Sequence, residues 1–169
     1  MYKLIGVIFI VMGAGGFGIA KGYGFFVQLN NVRAFSDALQ LLKCEMNYTL
    51  SPLSKLCSTV SKRTKGTCSV FFREYSRLLA DGIPRSLAAQ RLLSDERKYK
   101  LPNDAQLTLL ELFESLGAYE LEGENQRLRI AIHRLQASAK HLEQEKKPLA
   151  KSYAALGVCL GLALAILFI

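Results

Sequence analysis

The sequence predicts an all-α protein, an antiparallel six-helix bundle flanked by an N-terminal and a C-terminal transmembrane helix. Three observations carry this expectation. Residues 4–20 and 153–169 are each seventeen-residue runs without a charge. All fourteen acidic residues, and all but one of the twenty-two Lys and Arg, lie between positions 21 and 151. Within that charged middle, apolar residues recur at spacings of three and four between evenly placed breakers, the pattern of amphipathic helices rather than strands.

The first span is read as residues 4–27. At about 1.5 Å of rise per residue its uncharged run covers roughly 25 Å, the short side of a hydrocarbon core. Lys21 extends it by reaching to the interface with its charged end. The second span, 153–169, has the same length. Lys146, Lys147 and Lys151 precede it, and Lys21 and Arg33 follow the first, whereas the opposite side carries only Lys3 and the amino terminus. The positive-inside rule therefore puts the middle, residues 28–152, in the cytoplasm. The alternative is a secretory signal peptide cut after Ala20, since Gly18 and Ala20 give a small-x-small pattern; the product would be a secreted or tethered helical binding module.

Six helices are expected in the middle. The first, about 31–48, presents Val32, Phe35, Leu39, Leu42 and Met46 on one face. The second opens at Pro52, with Ser51 as its cap, and presents Leu53, Leu56 and Val60. A third, about 68–80, carries Val70, Phe71, Tyr75, Leu78 and Leu79. The fourth opens at Pro84 with Leu87, Ala88, Leu92 and Tyr99. The fifth, about 103–116, packs Leu109, Leu112, Phe113 and Leu116. The longest, about 123–147, keeps Leu128, Ile132, Leu135, Ala139 and Leu142 in register, with Pro148 bending or interrupting the join to the second span. Ser61 and Ser138 read as exposed positions.

Chemistry-bearing motifs are few. Gly13, Gly15 and Gly18 match a dinucleotide fingerprint, with Asp37 about twenty residues on. Yet Lys21-Gly22-Tyr23-Gly24 interrupts the helix that motif needs, Asp37 falls inside a helical seam, and no parallel strand follows. The glycines instead form rows of small residues four apart, Ala14, Gly18 and Gly22 in the first span and Gly157, Gly161 and Ala165 in the second, which let membrane helices pack closely. His133 and His141 lie on one helix about 12 Å apart along its axis, too far to share a metal. Cys44, Cys57 and Cys68 cannot all pair and match no zinc spacing, and Cys159 is inside a span. No nucleophile elbow, P-loop or metalloprotease helix occurs, so no catalytic residue, cofactor or metal is expected. Residues 21–151 carry +7, twenty-one basic against fourteen acidic residues. Its densest cluster, Lys62-Arg63-Thr64-Lys65, lacks interleaved aromatics, and an anionic leaflet explains the balance better than nucleic acid. Glu120, Glu122 and Glu124, with Asn125 and Gln126, gather where the last helix begins. They satisfy the helix dipole, or present an acidic contact surface to a basic partner. The segment from Lys62 to Gly66 is the other candidate contact.

Several stretches together resemble the stage III sporulation protein AB family of endospore-forming bacteria. They are Met1-Tyr2-Lys3-Leu4-Ile5-Gly6; Ala38-Leu39-Gln40 with Glu45, Tyr48 and Pro52-Leu53; Phe113-Glu114-Ser115-Leu116-Gly117 with Gln126; and Lys151 with Leu156-Gly157, Gly161-Leu162 and Ile166-Leu167. Residues 58–100 depart from the family's pattern. The resemblance implies a six-helix domain similar to one cytoplasmic domain of the inner-membrane platform protein of type II secretion and type IV pilus systems. It implies residence in the mother-cell membrane facing the forespore, within a transenvelope channel complex encoded by one operon. By analogy with secretion platforms, it implies docking of a secretion-type ATPase, stage III sporulation protein AA. A homo-oligomer stays open.

Overall fold

The computed structural model describes the backbone of residues 2–49, 51–94, 96–117 and 120–168, and the side chains of 24–49, 51–94, 98–117 and 120–144. Every regular element among them is a helix: α1 (Tyr2–Tyr48), α2 (Leu53–Arg63), α3 (Gly66–Ala80), α4 (Arg85–Leu93), α5 (Glu96–Tyr99), α6 (Asn103–Ser115) and α7 (Leu121–Phe168). The helix expected over 123–147 is part of α7, whose helical backbone continues through Pro148. The fourth expected segment is two helices, α4 and the single turn α5. Among the described residues no helix is long and apolar enough to cross a membrane. Most of the two expected spans, 4–27 and 153–169, falls outside the residues whose side chains are described, as do their rows of Ala14, Gly18, Gly22, Gly157, Gly161 and Ala165.

Local chemistry sets the helix ends. Pro52, Pro84 and Pro102 immediately precede α2, α4 and α6. Proline's fixed φ suits helix entry, and it has no N–H to leave unsatisfied there. Each proline carbonyl accepts the first helical bond, from Leu56, Ala88 and Gln106 respectively. Ser51 therefore does not cap α2, which starts without a side-chain hydrogen bond. At the end of α3, Gly82 takes φ +78°. Its N–H bonds the Leu79 carbonyl and that of Ile83 bonds Leu78, the paired bonds of a Schellman stop.

The chain divides into two compact units, Gln28–Lys140, and Met1–Val27 with His141–Ile169. In the larger unit α2 packs chiefly on α3, and α4 on α6. Ser76 Oγ donates to the Ser54 carbonyl and Ser69 Oγ to that of Ser61, both at 2.7 Å. These bonds fix α2 and α3 as an antiparallel hairpin. The centre is aromatic. Phe71 stands 4.8 Å from Phe113 and 5.5 Å from each of Phe35, Phe72 and Tyr99, mostly edge-on, and stacks on Tyr75 at 5.8 Å. Edge-to-face rings bring positive rims to negative faces, so the cluster gains beyond its buried area. The Tyr75 hydroxyl donates to the Phe113 carbonyl at 2.8 Å, so that its one polar atom is not buried unbonded. Polar ties brace the rim of this core. Asn31 Nδ2 donates to the Tyr99 carbonyl and Asn31 Oδ1 accepts from Thr67, joining α1, α3 and α5.

Leu56, Val60, Phe71, Tyr75, Leu109, Leu112 and Phe113 are interior as expected, together with Val32, Phe35, Leu39 and Leu42. Leu87 is not: it is exposed, and Ala88, Ala89, Leu92 and Leu93 form the buried face of α4. Val70 is only half-buried, whereas its neighbour Phe72 is fully enclosed. Ser61 and Ser138, read as exposed, are both buried. In the smaller unit the described side chains include Phe25 and Leu142, both buried, and the Phe25 ring lies 5.3 Å from that of Phe26.

Candidate docking surface

The acidic start of α7 separates into distinct roles. Glu120 and Glu122 are exposed, and so is Gln126. Glu124 is inside, with only 2% of its surface accessible. It stands one helical turn before Leu128, on the buried face of α7 that continues through Ala131 and Leu135. An acidic contact there would consist of Glu120 and Glu122 alone. Asn125 is used internally: its side-chain amide and that of Asn47 donate to each other's carbonyl oxygens at 2.8 and 3.1 Å. That reciprocal pair fastens the end of α1 to the start of α7.

The second candidate, from Lys62 to Gly66, joins α2 to α3. Lys62 and Lys65 are exposed, and Arg63 reaches Glu45 of α1 as an ion pair. Part of the cluster's charge is thus compensated within the fold. His133 and His141 are both exposed, and Asp37 projects from the outside of α1. Among the described residues no three His, Cys, Asp or Glu side chains converge as a metal set would require. Cys44 is exposed while Cys57 and Cys68 are buried. Burial pushes the Cys57 thiol well above its ordinary 9.0, and burial assisted by Asp37 raises Cys68 to about 12. Neither thiol can supply thiolate near neutral pH.

Sequence reasoning missed a groove at the end of the larger unit where α1 finishes and α7 starts. It has a volume of about 420 Å³ and is walled by Met46, Leu53, Leu56 and Leu79, with Arg85 and Gly117 at one side. Its parts come from α1, α2, α3, α4 and the turn after α6, so no local motif announces it. Gly117 has φ +83°, and a Cβ there would come within 2.9 Å of the Arg85 guanidinium. Arg85 Nη1 donates to the Leu116 carbonyl at 3.1 Å, and the side chain is only half-buried. Tyr48, two residues past Met46, is 88% exposed. A smaller depression of about 150 Å³ lies between α6 and α7, where Arg134 pairs with Glu111 at 2.9 Å.

The family model for stage III sporulation protein AB matches residues 3–169. The chain belongs to the stage III sporulation protein AB family. A stage III sporulation protein AB of Bacillus subtilis (strain 168) is 28% identical over 171 residues, covering 99% of each chain. A solved structure, also a stage III sporulation protein AB, superposes with a TM-score of 0.61 at 22% identity, covering 72% of this chain and 98% of that one. At that identity the superposition speaks for the fold alone. Family membership makes this a stage III sporulation protein.

Proposed function

We propose that the protein is a non-enzymatic membrane platform, or adaptor, of a sporulation-specific transenvelope channel complex. In this reading residues 4–27 and 153–169 cross the mother-cell membrane facing the forespore, and 28–152 is a cytoplasmic domain. The domain docks a cytoplasmic secretion-type ATPase, stage III sporulation protein AA, while the spans pack with other membrane proteins of the same operon through their small-residue rows. The observation that carries this is the division of charge. Two runs without a charge, 4–20 and 153–169, enclose a segment, 21–151, that holds all but one of the basic residues, and the basic flanks face the same side. Family membership over nearly the whole chain supports the sporulation context. A helical unit whose buried and half-buried polar side chains tie one helix to another suits binding better than turnover.

The test is co-purification. The full chain in detergent is mixed with the ATPase of the same operon and separated by size. Co-elution in fixed ratio is expected, with nucleotide turnover only in fractions containing the ATPase. Separate elution, or turnover by the chain alone, would overturn the platform reading.

A further inference from the structure

The groove between the end of α1 and the starts of α2 and α4 combines an apolar wall with a single arginine. Four of its walls are aliphatic or thioether side chains that fall short of full burial or border it: Met46, Leu53 and Leu79 are half-buried, and Leu56 is buried. Leaving such a concavity open to water costs apolar contact that a complementary side chain would restore. At its side stands Arg85, half-buried, with one nitrogen on the Leu116 carbonyl and no carboxylate within ion-pair distance among the described residues. The nearest acid in sequence to the α1 wall, Glu45, is already taken by Arg63. A guanidinium in this setting keeps donors for a planar oxyanion. Charge across the unit points the same way. Residues 28–140 hold seventeen basic and twelve acidic side chains, a net of +5 that favours an acidic visitor.

We propose that this groove docks a short acidic-apolar segment of the cytoplasmic partner protein: its apolar side chains enter between Met46, Leu53 and Leu79, and a carboxylate pairs with Arg85. The proposal rests on the platform reading above, and it adds the place and the chemistry of the contact. Ser51 and Ser54 at the start of α2 form the polar lip, while exposed Tyr48 offers further apolar area beside it.

The experiment uses the full chain in detergent and the same operon's ATPase as probe, with affinity measured at low and moderate salt. Arg85→Gln retains a donor for the Leu116 carbonyl but removes the charge. Ser51→Trp fills the groove from a position outside any helix, and Gln136→Trp, on the exposed side of α7, is the control. Thermal melts matching the parent establish that each variant is folded. Expected are a loss of roughly tenfold or more for Arg85→Gln with a weakened salt dependence, a larger loss for Ser51→Trp, and none for Gln136→Trp. If the parent binds the ATPase and both groove variants bind equally well, the groove proposal is overturned while the platform reading stands. If the parent does not bind, the platform reading fails and takes the groove's assigned occupant with it. If the groove variants keep the ATPase but lose self-association on a sizing column, the occupant is a second copy of this chain and the proposal is wrong.

Discussion

At the residue scale, the interior of the bundle is defined by groups that must stay neutral. Burial raises the Tyr75 phenol above its ordinary 10.0 and brings Tyr99 up to about 12, and the same force acts on Cys57 and Cys68. For Tyr75 the nearby Arg85 opposes this only in part. Each is an acid whose folded pKa exceeds its unfolded value. The folded chain therefore holds more protons once pH passes the unfolded values, and stability present below about pH 9 is lost progressively above it. A series of thermal melts is expected to show a falling Tm on the alkaline side from about that pH. A flat profile there would mean these groups titrate in the fold much as they do in the open chain. Thiol mapping checks the same interior independently. At neutral pH a maleimide should modify Cys44 promptly and reach Cys57 and Cys68 only after denaturant is added.

At the element scale, most helices could be read from sequence because each repeats an apolar face over three or four turns. The exceptions have physical reasons. One turn, α5, is shorter than the period that would reveal it, so the apolar pattern merges Tyr99 into the preceding helix. In α4, residues 87, 88, 89, 92 and 93 are all apolar. Either side of so short a helix can serve as its buried face, and packing on α6 selects Ala89 and Leu93 rather than Leu87. Glu124 misled because its acidic neighbours suggest a solvated turn. Its spacing from Leu128 carried the contrary signal, an i, i+4 relation to the core stripe. The groove was beyond reach of sequence, since its walls come from five segments that no periodicity connects. What closes it is a helix stop. The left-handed Gly117 ends the turn after α6 and brings the Leu116 carbonyl to Arg85. Gly117→Ala is expected to destabilise the domain by about 1–2 kcal/mol through the unfavourable φ, and somewhat more where Arg85 must move. Chemical denaturation with the parent as reference measures it. An unchanged midpoint would show that the turn relaxes without strain.

At the scale of the whole molecule, everything proposed for function depends on which side of a membrane the charged unit occupies. The family places the chain in a sporulation setting, but the docking of a cytoplasmic ATPase requires residues 28–152 to face the cytoplasm. The most direct measurement is labelling in intact cells with a membrane-impermeant maleimide, using chains whose native cysteines are replaced by alanine. Ser61 and Ser138 are buried and would stay silent in either orientation, so the reporters belong at the exposed Ser86 and Gln136. Ser86→Cys and Gln136→Cys are expected to remain unlabelled until the membrane is permeabilised, then to react fully. Prompt labelling of both in intact cells would put the domain outside, and would contradict the topology, the platform function and the partner assigned to the groove at once.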